Sequence, residues 1–342
     1  MPDATLPIAV DAMGSDRGPA EIVAGARQAA ETLGVGVLLV GRPDALGDTG
    51  GMEVLPAADV VDMGDDPVQA VRRKRDASIV RAAEAVREGR ASAVVSAGNT
   101  GAAMAAALLR MGRISGVQRP AIATPLPIPG STPTLLIDCG ANAECTPGQL
   151  VQFAQMGAVF AAERFGIPEP RVALLSIGEE PSKGNPLVRE AHARLASLET
   201  MTGSGGRFVG NVEGRHLLSS VADVVVTDGF TGNVVLKTLE GGVKFTLDAV
   251  RSAVAASPEG RQASQALFSA LAPLVTQLDP DSYGGAVLLG VDGVCVISHG
   301  SSSSRAIVNA VGVARAAVAD DLVGRLRQAV AGASFTSAQA ST

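Results

Sequence analysis

The stretch that decides the fold is residues 7–33, which read PIAVDAMGSDRGPAEIVAGARQAAETL. Residues 7–10 form a short apolar run, as expected of a strand that is covered on both faces. A glycine-containing loop separates this run from residues 20–33, an Ala-rich segment typical of a helix. Since the same order of strand, loop and helix recurs along the chain, the sequence predicts an α/β architecture.

Ten strands and eight helices are predicted in this alternation. The predicted strands are residues 7–10, 35–40, 52–55, 93–95, 121–125, 134–137, 171–175, 224–227, 286–289 and 294–297. The predicted helices are residues 20–33, 77–88, 101–111, 147–165, 186–198, 234–254, 261–278 and 304–330. No low-complexity linker divides the chain, so we expect lobes that share one sheet, with residues 1–5 and 333–342 frayed.

The composition excludes several classes of protein. The 342 residues suggest about two domains or one large one, and 28 basic against 34 acidic side chains give a net charge of −6. This acidic balance and an aromatic content of only 3% argue against a nucleic-acid partner. Three widely spread cysteines favour a reducing cytoplasm over a disulfide framework. No apolar run is long enough to span a bilayer, and the first residues lack the features of a signal peptide.

Four loops share one character, with glycine and small hydroxyl or amide residues placed between a strand and a helix. They are residues 11–16 (DAMGSD), 96–101 (SAGNTG), 228–233 (DGFTGN) and 298–304 (SHGSSSS). In open α/β sheets, ligands bind beyond the carboxyl ends of strands, where exposed N–H groups hold anions. The four loops together predict an anion-binding crevice.

Several well-known motifs are absent from the sequence. Neither G-x-x-x-x-G-K-[ST] nor G-x-G-x-x-G after a strand occurs, so a P-loop NTPase or a standard Rossmann dehydrogenase is not expected. The patterns G-x-S-x-G, H-E-x-x-H and C-x-x-C are also missing, and the three histidines are far apart. We therefore predict no metal site and no cofactor.

Single residues in these loops have both a structural and a functional interpretation. Asp11 either caps a turn or contributes to the site. Asn99 and Thr100 can cap the following helix while still directing backbone amides at a ligand. His299 is either a buried, hydrogen-bonded histidine or an anion contact. Lys183 follows a predicted strand and is one of only four lysines beside 24 arginines, which favours a functional role.

Two further features have alternative interpretations. Cys139 and Cys145 are either small buried residues, which is the commoner case, or carriers of a thioester intermediate. Residues 72–90 hold seven basic and three acidic side chains. This charge run is either a solvated helix face or a docking patch for an acidic partner.

The four loops and three further motifs resemble those of the PlsX family, the phosphate acyltransferases of bacterial phospholipid synthesis. The further motifs are GNVEG at 210–214, VVLKT at 234–238 and YGGA at 283–286, and the resemblance runs from about residue 7 to 330. It implies a three-layer α/β/α fold with a large mixed sheet and two intertwined lobes, like that of isocitrate dehydrogenase and phosphotransacetylase. The implied lobes are residues 1–130 with 292–330, and residues 131–291 with a helical hairpin at about 234–279, followed by a disordered tail at 333–342.

The resemblance also implies a reaction. A fatty acyl group moves from the thioester of acyl carrier protein to inorganic phosphate, giving an acyl phosphate for phospholipid synthesis. Phosphate itself is then the nucleophile, so no Ser-His-Asp triad is needed, and the departing thiol has an ordinary pKa of about 8.5. The family further implies a cytoplasmic homodimer that contacts the inner face of the membrane, where a glycerol-3-phosphate acyltransferase takes the product.

On the same resemblance, hypothetical roles are assigned to residues of this chain. The predicted catalytic residues are Lys183, Asn185, Asp228, Asn233 and His299. The predicted substrate-binding residues are Asp11, Gly14, Asp16, Asn99, Thr100, Gly101, Gly300 and Ser301. The predicted docking residues for the acidic carrier protein are Arg72, Arg73, Lys74, Arg75 and Arg81.

Two departures from the family limit what transfers. The family's first loop commonly reads Asp-Ala-Met-Gly-Gly-Asp-His, whereas this chain has Ser15 and Arg17, so a general-base role for that histidine does not transfer. The family associates its hairpin with the membrane, but residues 255–280 carry one basic and two acidic side chains, so the attraction to anionic lipid is weak. The apolar stripe of this segment is equally well explained as a dimer or core face.

Three rival functions stay open at this point. One is a phosphotransacetylase-like enzyme that uses coenzyme A thioesters. Another is a metal- and NAD-dependent dehydrogenase on the related fold, although no cluster of aspartates typical of a divalent metal site is visible. The third is a scaffold that binds the carrier protein at the membrane without catalysis.

Overall fold

The computed structural model describes residues 6–198 and 203–339. The strands are β1 Ile8–Asp11, β2 Val37–Gly41, β3 Glu53–Pro56, β4 Ala93–Ser96, β5 Ala121–Leu126, β6 Thr134–Ile137, β7 Arg171–Leu175, β8 Arg207–Val212, β9 Val224–Val226, β10 Ala286–Leu289 and β11 Val294–Ile297. The helices are α1 Pro19–Leu33, α2 Pro43–Leu46, α3 Pro67–Arg73, α4 Ser78–Arg87, α5 Thr100–Ala106, α6 Pro147–Phe165, α7 Pro186–Ala196, α8 Gly229–Ala256, α9 Pro258–Leu278, α10 Ser304–Ala319 and α11 Leu322–Gln339. A π-helical turn, Ala107–Met111, continues α5.

The strands of the described chain form one mixed sheet in the order β3-β2-β1-β4-β11-β10-β5-β6-β9-β7-β8. Strands β1 to β4 and β11 form one parallel group, and β6 to β9 form another. Between the groups, β10 and β5 are antiparallel to both of their neighbours. These three antiparallel pairings reverse the strand direction, so the carboxyl ends of the two parallel groups lie at opposite edges of the sheet.

Helices cover both faces of the sheet, which confirms the predicted α/β/α class. Because successive side chains of a strand point to opposite faces, Val10 joins one buried apolar cluster and Ala9 joins the other. The first cluster also contains Phe153 of α6, and the second contains Val80 of α4. Strands β1, β2 and β4 are buried at every position, which explains their continuous apolar sequence.

Four features differ from the sequence prediction. Strand β8 was not predicted, because this half-exposed strand at the end of the sheet contains a glycine and an asparagine. Helices α2 and α3 were also missed, although Asp66 caps α3 by accepting a 2.8 Å hydrogen bond from Gln69 N. The single helix predicted at 304–330 is wrong, since the chain breaks between α10 and α11 where Asp321 takes a φ of 49°.

The ends of the chain were expected to be frayed. Helix α11 runs from Leu322 to Gln339, and the frayed, disordered tail expected at 333–342 stays a prediction. Residues 1–5 and 340–342 lie outside the described part of the chain.

Helices α8 and α9 form a long hairpin of 28 and 21 residues. The turn is fixed by Ser257, whose hydroxyl accepts a 2.9 Å hydrogen bond from Gly260 N and so caps α9. One surface of α8 exposes the large apolar side chains of Phe230, Val234 and Phe245. No helix in residues 6–198 and 203–339 has the length and apolar character needed to cross a membrane.

Candidate active site

Three of the four predicted loops meet at one edge of the sheet, after strands β1, β4 and β11. Asp16 N donates a 2.9 Å hydrogen bond to Gly300 O, and Ser15 Oγ donates to the same oxygen at 3.0 Å. The loops after β4 and β11 are joined by a 2.8 Å bond from Ser298 N to Ser96 O. These bonds hold the three loops as one unit, with Gly14 in a left-handed turn (φ 77°).

Asp11 lies beneath these loops and is buried. Its Oδ2 accepts a 2.7 Å hydrogen bond from Ser96 Oγ, and its Oδ1 accepts one from Met13 N at 3.2 Å. Burial raises the pKa of Asp11 to about 6, although hydrogen bonds from Ser78, Ser96 and Met13 favour the ionised form. The carboxylate therefore braces the loops from below and does not line the main cavity described next.

The loop after β4 ends in the helix α5, whose first residues carry the predicted anion site. Asn99 caps this helix with Oδ1, which accepts from Ala102 N at 3.0 Å, while Nδ2 donates to Asp62 O and Met63 O. The Asn99 amide is thus used in bracing the loop. The N–H groups of Thr100 and Gly101 have no acceptor within the described residues, so they are free to bind an anion.

The loop after β11 presents a histidine and several hydroxyl groups. His299 is exposed, and its Nδ1 accepts a hydrogen bond from Ser301 N at 3.2 Å and lies 2.8 Å from Ser301 Oγ. In the neutral ring the proton is then on Nε2. Behind it, the buried Ser302 Oγ donates to Ser298 Oγ at 3.0 Å.

The fourth loop, at 228–233, follows β9 and so belongs to the oppositely directed group of strands. Asp228 was predicted as a catalytic residue, but both of its carboxylate oxygens are used at the start of α8. Oδ1 accepts a 2.8 Å hydrogen bond from Thr231 N, and Oδ2 accepts one of 2.8 Å from Thr231 Oγ1, so Asp228 is the N-cap of the helix. Asn233 lies one turn further along α8 and does line the cavity. It packs against Gly140, where an added Cβ would stand 2.9 Å from Asn233 Nδ2.

A cavity of about 450 Å³ joins these elements between the sheet and the α8–α9 hairpin. Its polar wall comes from Thr100, Asn233, Ser298, His299 and Ser302. Its apolar wall comes from Ile122, Leu126, Leu236, Leu239, Val243, Leu247, Val275 and Leu278. A space lined by polar loop residues and by a row of apolar side chains fits an amphiphilic ligand, and its size falls in the range of roughly 300–1,000 Å³ typical of ligand pockets.

Two lysines on this wall were missed as site residues by sequence reasoning. Lys237 pairs with Glu240 at 2.8 Å, whereas Lys244 has no carboxylate partner among the described residues. Lys237 stands in the VVLKT motif, so a signal was present. Each lysine directly follows a residue of the apolar stripe, Leu236 or Val243, so both lysines flank the stripe on the same side of α8.

The other predicted catalytic residues lie outside the cavity wall. Lys183 is exposed on the loop after β7, with no carboxylate partner among the described residues, and Asn185 caps α7 by accepting a 2.9 Å bond from Val188 N. Since β7 belongs to the oppositely directed group, its carboxyl end does not share an edge with the loops after β1, β4 and β11.

The predicted docking patch surrounds the end of α3. Arg72, Arg73 and Arg75 are exposed. Lys74 is instead held by Asp65, with Nζ 2.7 Å from Oδ2, and Arg81 lies near two acidic side chains at 3.5 and 3.6 Å. The patch adjoins the anion loop, because an added Cβ on Gly101 of α5 would stand 2.7 Å from Pro67 Cγ of α3.

The two cysteines considered as acyl carriers are poorly suited to that role. Burial raises the pKa of Cys139, which lines the cavity, to about 12, and that of Cys145 to about 11. At neutral pH both are thiols rather than the nucleophilic thiolates. Within residues 6–198 and 203–339, no group of three or more His, Cys, Asp and Glu side chains is arranged to hold a metal ion.

Comparison with solved structures defines the class of fold. The chain is similar to the EutD phosphotransacetylase from Staphylococcus aureus, with a TM-score of 0.58 and 18% identity over 93% of this chain and 96% of that chain. A phosphotransacetylase from Streptococcus pyogenes gives a TM-score of 0.58 at 17% identity, covering 93% and 96% of the two chains. The protein therefore has the phosphotransacetylase-like α/β fold, as the resemblance implied.

Sequence comparison then gives the family. The profile of the family described as "Fatty acid synthesis protein" matches residues 6–325. The phosphate acyltransferase of Heliobacterium modesticaldum is 47% identical over 335 residues, covering 95% of this chain and 98% of the relative. That of Elusimicrobium minutum is 46% identical over 333 residues, covering 95% and 96%. The chain belongs to this family, the PlsX family of phosphate acyltransferases, which confirms the resemblance seen in the sequence.

Proposed function

We propose that this enzyme transfers a fatty acyl group from the thioester of acyl carrier protein to inorganic phosphate, and so supplies acyl phosphate for phospholipid synthesis. One observation carries the proposal: Thr100, whose N–H group at the start of α5 has no acceptor among the described residues, lines the same cavity as a row of apolar side chains. Phosphate and a fatty acyl group are the two substrates that such a space would bring together. Family membership supports the same reaction.

In the proposed reaction a phosphate oxygen attacks the thioester carbonyl carbon. The new C–O bond forms, the tetrahedral oxyanion collapses, and the C–S bond breaks, so that its electron pair leaves on sulfur as a thiolate that takes a proton from water. The N–H groups at the start of α5 hold phosphate. Asn233 Nδ2, His299 Nε2–H and the Ser298 hydroxyl donate to the developing oxyanion, while Ser302 Oγ donates to Ser298 Oγ and so orients that hydroxyl.

Acid assistance is not required for the leaving group, because a thiol of pKa about 8.5 departs readily near neutral pH. A cationic side chain would still help to hold a phosphate dianion. The sequence assigns that role to Lys183, and the cavity wall offers Lys244 as the alternative. Asn185 and Asp228 are proposed to act by capping α7 and α8 rather than by touching substrate.

The partners follow from the same proposal. The exposed arginines at the end of α3 are proposed to dock the acidic carrier protein beside the anion loop. We further propose a cytoplasmic homodimer with two lobes, residues 1–130 with 292–330 and residues 131–291, that contacts the membrane peripherally and passes product to a membrane acyltransferase. A monomer in sedimentation equilibrium would contradict the homodimer. A failure to co-sediment with anionic vesicles would contradict the membrane contact.

The test is to incubate the enzyme with hexadecanoyl carrier protein, with and without phosphate, and to trap acyl phosphate as its hydroxamate. The proposal predicts hydroxamate only when phosphate is present. Coenzyme A thioesters should be tested in parallel, because the solved structures of similar fold are phosphotransacetylases. If the enzyme turns over the coenzyme A thioester but not the carrier-protein thioester, the phosphotransacetylase-like function is favoured instead.

A further inference from the structure

Beyond the polar loops, the cavity wall combines a row of apolar side chains with the charged side chains of Lys237, Glu240 and Lys244 on α8. Four side chains of α8 contribute, spaced three or four residues apart so that they share one helix face. They are Leu236, Leu239, Val243 and Leu247. Across from them lie Val275 and Leu278 of α9, and Ile122 and Leu126 of β5 form the floor. Phosphate chemistry makes no use of these residues.

The hairpin is oriented with its base at the anion loops. Asn233 near the start of α8 and Leu278 at the end of α9 both line the cavity. Three residues beyond Leu278, Asp281 Oδ2 accepts a 2.6 Å hydrogen bond from Ser303 Oγ, in the loop that carries His299. The apolar stripe of α8 therefore starts beside the reacting groups and runs away from them toward the turn of the hairpin.

The stripe has the length of a lipid acyl chain. From Leu236 to Leu247 it measures about 16 Å at 1.5 Å per residue. One leaflet of a bilayer's hydrocarbon core, which a single acyl chain extends across, is about 15 Å thick. On α8, the lining residues beyond Leu247 are the charged Asp248 and Arg251, which are paired at 3.4 Å, so the apolar stripe ends there. An apolar chain gains nothing by extending past that pair.

We propose that the space between α8, α9 and β5 binds the hydrocarbon tail of the acyl substrate, and that its far end at Leu247 sets the longest chain that fits. The inference rests on the proposed function, since it concerns the same substrate. It adds a chain-length ruler built from the hairpin. Val243, in the middle of the stripe, is the position at which a larger side chain blocks the tail while leaving the reacting end open.

The test compares two matched substitutions on α8. Val243→Trp fills the cavity, whereas Val250→Trp makes the same change at an exposed position that does not line it. We expect the ratio of kcat/KM for hexadecanoyl to octanoyl thioester to fall at least tenfold in Val243→Trp and to stay within twofold in Val250→Trp. Retained octanoyl turnover shows that the variant is folded. An unchanged ratio in both variants would overturn the ruler.

A second variant and a binding measurement keep the inference separate from the proposed function. Leu247→Ala lengthens the space and should move the preferred chain length upward; no shift would count against the ruler. Binding of hexadecanoate, measured by calorimetry, should weaken at least tenfold in Val243→Trp but not in Val250→Trp, even if no thioester is turned over. If this binding pattern is found but no acyl phosphate is formed, the proposed reaction is contradicted and the proposed binding site for the hydrocarbon tail is supported.

Discussion

Ser96 Oγ donates a 2.7 Å hydrogen bond to Asp11 Oδ2, and both residues are buried. The two residues face each other at the ends of the paired strands β1 and β4. Ser96 Oγ also accepts a 3.2 Å bond from Gly98 N, in the loop that leads to the anion site. Through this chain of contacts, the Asp11 carboxylate braces the loop that leads to the N–H groups of Thr100 and Gly101.

This arrangement predicts an unusual pH dependence for Asp11→Asn. Because burial raises the folded-state pKa from 3.8 to about 6, the folded protein binds a proton more readily than the unfolded chain. The contribution of Asp11 to stability is therefore present below pH 3.8 and is lost as pH rises through 6, by about 3 kcal/mol in all. The free energy of unfolding of the variant should gain on that of the wild type by most of this amount between pH 4 and pH 7, measured by urea unfolding.

The same variant should lose turnover at pH 7 despite its relative gain in stability. An amide oxygen replaces two acceptor oxygens, so it cannot serve Ser78, Ser96 and Met13 together. A stability difference that does not change with pH would show that Asp11 titrates normally.

Gly101→Ala should damage phosphate binding. The added Cβ would stand 2.7 Å from Pro67 Cγ, so α3 or the start of α5 must shift, and overpacking of this kind costs about 1–3 kcal/mol of stability. We expect the KM for phosphate to rise about tenfold, since a displaced donor loses roughly the 1.4 kcal/mol that a factor of ten represents. Gly241→Ala is the control, because nothing lies within 4 Å of a Cβ there. Equal KM values for both variants would remove Gly101 from the anion site.

Lys183→Ala decides between two candidate cations. Lys183 is exposed and has no carboxylate partner among the described residues, so its removal should leave the thermal midpoint unchanged. If it acts on phosphate or the oxyanion, kcat should fall at least about tenfold. The parallel variant Lys244→Ala removes the unpaired lysine of the cavity wall. Near-normal kinetics in the first variant with a loss in the second would transfer the role to Lys244.

Charge reversal tests the docking patch. Arg72→Glu combined with Arg75→Glu should raise the KM for the carrier-protein thioester about tenfold at low salt, with a smaller effect at high salt because surface charges are screened. The KM for phosphate should not change. The matched control is Arg87→Glu with Arg90→Glu, two exposed arginines at the end of α4 and just beyond it. A similar loss in the control pair would mean that net charge, not the α3 patch, attracts the carrier protein.

Much of the fold was readable from the sequence because buried strands are short apolar runs. Strands β6, β7, β10 and β11 match their predicted bounds to the residue. Strand direction was not readable, since the reversal across β10 and β5 depends on pairing between residues far apart in the chain. The loop that contains Asp228 was grouped with the other three because their sequences are similar. The strand that precedes it runs in the opposite direction, which the sequence does not show.

The site was readable in part for a related reason. The loops rich in glycine and hydroxyl residues predicted the anion-binding part of the site, and Thr100, Asn233 and His299 do line one cavity. The apolar end depends on how a long hairpin folds back over the sheet. The spacing of Leu236 and Leu247 indicates one apolar helix face, but it does not show whether that face packs against a core or lines a space.

The attack of phosphate itself on the thioester is tested most directly by a quenched single turnover with carrier protein carrying a radiolabelled hexadecanoyl group. With phosphate present, label should pass to acyl phosphate, and without phosphate it should stay on the carrier protein. Cys139→Ala should transfer label at the wild-type rate, because the buried thiol, with a pKa of about 12, is not a nucleophile at neutral pH. Label recovered on Cys139, Cys145 or any hydroxyl of the enzyme during turnover would contradict direct attack.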